Sequence, residues 1–244
     1  MPTPDPRAAE RLAAAWAELE AELDWERLGA SYCEGDARTY FDAERRAHVL
    51  DTGLALADDV AARLPARPGT NGPARSLYVG AAVAELAPML VERLVLAREV
   101  RWHLLPGPEF DELARALARV GERLGLHLPL PDPRPLETVA PTPCDHLWLV
   151  SVLTDPDAFP ALHDALYERA GTPEATGRGD PTAEGARAAA LVVALLAHAA
   201  PGALLTTTTD ELPLLREQWP AGARVEPGRI TSLVGDRVAH VRFP

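Results

Sequence analysis

The residues best suited by type and spacing to hold a ligand lie in Ser76–Glu92, SLYVGAAVAELAPMLVE. Leu77, Tyr78 and Val79 read as a buried strand, Gly80-Ala81-Ala82 as a tight turn, and the residues from Val83 onward as an amphipathic helix. Such a turn lets a ligand lie against the backbone where a Cβ would otherwise stand, and the helix start supplies unpaired N–H donors. Gly80 keeps that space open. Ala82 and Ala84 add methyl groups beside it, mildly at Ala84 and more intrusively at Ala82. Glu85, in the first helical turn, either orients a ligand or complements the positive end of the helix dipole.

A second group follows a strongly apolar run further along. Ser151, Thr154 and Asp155 lie at and just past the end of that run, residues 146–153, which reads as a strand. His146 and Asp155 are the two candidate general bases. Asp155 stands before Pro156 and serves equally well as a helix cap. Asp132, before Pro133, is either a ligand contact or a turn former. Thr206–Thr209 alternate across a strand, so two point toward a cleft unless they are simply β-formers. Tyr32, Tyr40 and Phe41 either wall a pocket or pack helix on helix. The seven histidines form no HxH or HxxxH pair and Cys33 and Cys144 lie far apart, so no metal site is expected.

These residues need elements to position them. Residues 7–64 read as helical, with Leu12, Trp16, Leu19 and Leu23 at helical spacing, a break around Gly29 and Gly35, and a second stretch from Thr39 to Leu64. Residues 65–73, rich in Pro and Gly, read as a linker. Short apolar runs then alternate with helices: strands at 76–79, 100–105, 126–130, 146–153 and 203–209, with helices at 109–124, 159–169, 186–199 and 211–219 between or after them. Residues 171–185 are polar and Gly/Pro-rich and read as a mobile insertion. Val225–Leu233 and Arg237–Phe243, joined by Val234-Gly235-Asp236, read as a hairpin. The alternation predicts an α/β fold, a mainly parallel sheet with helices on both faces and an antiparallel pair at its edge.

Taken together, residues 74–244 resemble the class I S-adenosylmethionine-dependent methyltransferases. The family's first motif, an acid, an apolar residue and then G-x-G-x-G, falls on Tyr78, Val79 and Gly80 to Ala84, with Glu85 as the acid after it. Residues 143–155 resemble its fourth strand and substrate-facing loop, 199–205 the turn entering its fifth strand, and the hairpin its closing antiparallel pair. The resemblance implies a Rossmann-like fold, S-adenosylmethionine as cofactor, and residues 1–64 as a helical cap over the substrate. It assigns cofactor contacts to Tyr78, Gly80, Ala82, Glu85, Leu105, Asp132 and Ser151. Departures matter here. Tyr78 stands where an acid usually helps hold the ammonium-bearing end of the cofactor. Leu105 stands where an acid usually accepts from both ribose hydroxyls, and Glu109 is the nearest carboxylate. Losing such an acceptor weakens binding roughly ten- to a hundredfold.

Two functions are expected on these grounds. One is methyl transfer to a small molecule or peptide, which needs in-line positioning more than a base. The other is a non-catalytic binding or regulatory module that keeps the fold without the cofactor. A dehydrogenase fits less well, because G-x-G-x-x-G is absent. The formal net charge of −12 argues against a general nucleic-acid partner. The first residues lack a basic-then-apolar signal, and no apolar run is long enough for a bilayer, so a cytoplasmic protein without membrane contact is expected, with a homodimer left open.

Overall fold

The computed structural model describes residues 6–30, 32, 40–64 and 73–244, and Cys33, Gly35 and Thr39 lie outside them. The described chain forms two compact units, Met1–Arg134 and Pro135–Pro244. Its sheet has six strands in the order β2-β1-β3-β4-β6-β5. These are β1 (Arg75–Val79), β2 (Glu99–His103), β3 (Cys144–Trp148), β4 (Ala199–Thr208), β5 (Arg224–Thr231) and β6 (Arg237–Arg242). The α/β class, the mainly parallel sheet and the antiparallel end are as expected.

In the first unit β1 and β2 run parallel, from Arg75 opposite Glu99 to Val79 opposite His103. A continuous helical run comes after β1: a 3-10 turn Val83–Glu85, an α-helical stretch Leu86–Leu90 and a π turn Val91–Val95. The helix Pro108–Leu124 comes after β2, starting on a proline whose missing N–H costs nothing there. It ends at Gly125, whose φ of 64° suits a residue without Cβ. Leu77, Val83, Met89, Leu90, Trp102, Leu113 and Leu117 make the core.

Among the described residues the N-terminal region includes the helices Pro6–Glu22, Trp25–Gly29 and Ala43–Ala61. The first two pack against Pro108–Leu124, and the third against the helical run after β1. Gly53 permits that last approach, since a Cβ there would stand 2.7 Å from Ala87 Cβ. Glu22 meets Arg115, Arg119 and Arg123. Those arginines, Arg123 foremost, hold its carboxyl down at about 2.

The strand expected at 126–130 does not form. What remains is one parallel bridge, His103 with Asp132, in which Asp132 N donates to Trp102 O at 2.7 Å and Leu104 N to Asp132 O at 3.2 Å. Pro129, Pro131 and Pro133 flank that bridge and have no N–H to extend it.

In the second unit β3 and β4 are parallel, β4 and β6 antiparallel, and β5 and β6 antiparallel. The hairpin turns at Gly235, with φ of 95°. Helices Pro160–Leu166, Pro181–Leu196 and Leu212–Arg216 complete it. The helix expected to begin at Ala186 starts at Pro181 instead, capped by Asp180, whose carboxylate accepts from Thr182 N at 2.8 Å.

Candidate functional site

In the first unit the site is the turn after β1. Gly80 carries φ of 66°, and its N–H continues the ladder to His103 O at 2.9 Å. Trp102, buried in β2, donates its indole N–H to Ala81 O at 2.8 Å and so ties the turn to the neighbouring strand. The next two N–H groups head the helix and have no backbone carbonyl within it to donate to. Glu85 accepts from Ala82 N at 2.8 Å. Glu109, from the first turn of Pro108–Leu124, accepts from Val83 N at 3.1 Å and from the Tyr32 hydroxyl at 3.1 Å. Tyr32 stacks on Tyr40 at 5.5 Å and meets Phe41 edge-on at 5.2 Å. Burial, then the charges of Glu109 and Glu85, push the Tyr32 phenol well above its ordinary range.

Gly80, Ala82, Glu85 and Glu109 are therefore gathered at one turn, and Tyr78 is turned to other work. Its hydroxyl donates to Glu92 Oε1 at 2.6 Å, in a buried network where Arg98 Nε also reaches Glu92 at 3.0 Å. Leu105 is 62% exposed beyond the end of β2. Asp132 does reach that strand end, beside His103, where Arg134 Nη2 pairs with it at 2.6 Å. That pairing holds its carboxyl down at about 2.

In the second unit the candidate residues sit after β3. Ser151 has φ of 57°, uncommon for a side chain with a Cβ. Its N–H donates to Glu211 at 3.1 Å and its hydroxyl to Asp236 at 2.6 Å. Glu211 is wholly buried and also accepts from Val152 N and Leu153 N at 2.8 Å, from the Thr207 hydroxyl at 2.9 Å, and from Thr208 N and its hydroxyl at 3.2 and 3.0 Å. Burial raises the Glu211 carboxyl despite these donors. The Tyr167 hydroxyl donates to Asp236 at 3.1 Å, and burial followed by Asp236 pushes that phenol up to about 12.

Neither candidate base is poised for proton transfer. Asp155 accepts from Asp157 N at 2.8 Å and Ala158 N at 2.7 Å, which is a capping arrangement. His146 is fully buried, with Nε2 3.0 Å from Thr206 Oγ1, and that hydroxyl lies 3.1 Å from His240 Nδ1. Thr154 is buried, its carbonyl 2.7 Å from His163 Nδ1. Glu211 and Asp236 escaped sequence reasoning. A carboxylate just past a threonine-rich strand was the available signal for Glu211, and the hairpin turn itself hid Asp236.

No protein-family model matches the chain, and no curated protein matches it in sequence. Solved structures do match. One is magnesium protoporphyrin IX methyltransferase (ChlM) from Synechocystis PCC 6803 with bound SAH, 13% identical, with a TM-score of 0.50 over 93% of this chain and 100% of that one. Another is the pyocyanin biosynthetic protein PhzM, 13% identical, with a TM-score of 0.51 over 88% of this chain and 60% of that one. At these identities the likeness speaks for architecture: the chain has the class I methyltransferase-like, Rossmann-like fold.

Proposed function

We propose that this protein binds S-adenosylmethionine at the turn after β1 and directs methyl transfer to a small molecule or peptide. The observation that carries the reading is the left-handed Gly80 followed by Ala82 and Val83, whose N–H groups head a helix. Two such donors suit a carboxylate, the Glu85 carboxylate suits an ammonium group, and Gly80 offers backbone without a Cβ. When bound, the cofactor would supply an electrophilic methyl group. This chain's residues would then bind, orient and exclude water.

Gly80, Ala82, Val83 and Glu85 hold the amino-acid end in this reading. Leu105 offers no acceptor to a ribose, and Asp132, bridged to His103 at the end of β2, is the acid this reading gives to the adenine amino group. No general base is assigned, because His146 and Asp155 are held in structural hydrogen bonds. Positioning supplies the catalysis instead. Residues 1–64 act as a helical cap, 65–73 as a linker and 74–244 as the ligand-binding domain, with 171–185 an insertion. The reading goes with a cytoplasmic protein, no nucleic-acid partner, and room for a second copy of the chain. Among the described residues no helix is long and apolar enough to cross a membrane.

A second reading, a binding module without catalysis, is favoured by one observation: the donors at Ala82 and Val83 already meet the chain's own carboxylates. Calorimetry and thermal shift with S-adenosylmethionine and S-adenosylhomocysteine separate the two. Saturable binding is expected, with about 2.7 kcal/mol of stabilisation at a hundredfold excess over Kd, and Gly80→Val should abolish it. Absence of binding by either ligand at millimolar concentration would replace the first reading with the second.

A further inference from the structure

We infer that Glu109 is an internal stand-in for a ligand's carboxylate, closing the turn after β1 until a ligand displaces it. The inference rests on the proposed binding of S-adenosylmethionine at this turn.

The two carboxylates at the turn are of different kinds. Glu85 accepts from Ala82 N three residues back, a local cap that belongs to the helix it starts. Glu109 comes from 26 positions further on, across β2, and closes Val83 N from outside. Its side chain is half-buried, and both of its 3.1 Å contacts are made through the same Oε1. A change of side-chain rotamer would free the Val83 N–H and the Tyr32 hydroxyl together without breaking a strand pair. The helix that carries Glu109 has its own anchors. Asp24 N donates to Glu112 at 2.7 Å, and Arg115 Nη2 donates to Glu22 O at 2.8 Å.

Charge makes the two occupants exclusive. A ligand carboxylate arriving at Val83 N would meet the like charge of Glu109, so the two cannot share the donor. The closed arrangement therefore competes with the ligand, and apparent affinity falls by the fraction of molecules that are open. If about one molecule in ten is open, removing the competitor tightens binding roughly tenfold.

The test is calorimetric titration with S-adenosylhomocysteine, which carries the amino-acid end and reads binding without any reaction. Glu109→Ala is expected to bind about tenfold tighter than the wild type, Glu109→Gln to fall between them, and Tyr32→Phe to gain a few-fold. Glu122→Ala, exposed near the far end of the same helix, should bind as the wild type does. Thermal denaturation of each variant checks folding, and Glu109→Gln keeps an acceptor for Val83 N should the alanine variant unfold. Wild-type binding with no gain in the Glu109 variants overturns the stand-in alone. Weaker binding by Glu109→Ala overturns it by making Glu109 a ligand-holding residue. Failure of every protein, wild type included, to bind S-adenosylhomocysteine overturns both this inference and the proposed function.

Discussion

Glu211 in the second unit and Glu109 in the first both close backbone N–H groups just past the ends of strands, and they do so in opposite ways. Glu211 is wholly buried and gathers donors from Ser151, Val152 and Leu153 after β3 and from Thr207 and Thr208 at the end of β4. Glu109 is half-buried and, among the described residues, accepts from Val83 N and the Tyr32 hydroxyl from its place on a neighbouring helix. The loop after β3 is thus held by its carboxylate. The turn after β1 is held by packing and by the Trp102 indole, and its carboxylate is an occupant. Removing the knot leaves buried donors of two strand ends unmet at once; an occupant is replaced by any other carboxylate that reaches the same donors.

The largest effect should come from Glu211→Ala. Several buried donors lose their acceptor at once, which should cost about 3 kcal/mol or more, or roughly 6–12 °C in Tm for a chain of this size. Glu109→Ala should cost less, about 1–2 kcal/mol, since fewer buried donors lose an acceptor. Equal losses in urea and thermal unfolding would break the contrast.

Gly53→Leu probes the packing that holds the first turn. A Cβ at that position would lie 2.7 Å from Ala87 Cβ and 3.5 Å from Ala84 O. The overpacking should cost about 1–3 kcal/mol and speed hydrogen exchange at Ala82 and Val83. Unchanged exchange would mean that packing is not what fixes the turn.

Ser151 tests the knot more finely. At φ of 57°, Val should be worse than Ser by about 1–2 kcal/mol. Gly should relieve the strain while losing the bond to Asp236, so that it lies close to wild type. A valine variant as stable as the glycine variant would show that the φ seen here is not imposed.

The smallest effect concerns acid. Arg134 holds the Asp132 carboxyl at about 2, below its ordinary 3.8, so the pair stabilises above that ordinary value and its contribution is lost as pH falls toward 2. Glu211, raised by burial, has the opposite sign: protonation favours its folded form as pH falls. Arg134 is largely exposed, so Arg134→Ala should flatten the acid limb of a Tm–pH curve by only about a degree or two.

Much of the architecture was legible because apolar runs mark buried strands whatever the neighbours do. The strands read at 76–79 and 100–105 form as Arg75–Val79 and Glu99–His103, the hairpin forms, and the helix read at 109–124 forms as Pro108–Leu124. The strand at 126–130 misled because apolar pattern counts side chains, whereas a ladder counts N–H groups, and three prolines flank its one bridge. The start at Pro181 was signalled by Asp180-Pro181, a cap and a first-turn proline, yet was masked by the surrounding glycines. Gly80 and Glu85 were legible as a turn and its cap. Glu109 was visible only as a carboxylate too far along the chain, because sequence distance does not reveal how a helix start aims its first side chains. Glu211 was illegible for a related reason: an acid after a strand reads as solvated until the loops on both sides fold around it.

β2 has a further consequence as the last strand of its sheet. An unpaired outer margin is a template on which another chain can add a strand, the first step of edge-to-edge aggregation. Here that margin meets the Asp132 bridge, flanked by Pro129, Pro131 and Pro133, and β2 itself carries Glu99 and Arg101, paired at 3.2 Å. Prolines offer an incoming strand no donors, and charges resist burial against it. The prolines that keep residues 126–130 out of the ladder thus also disfavour the addition of a strand at that end of β2.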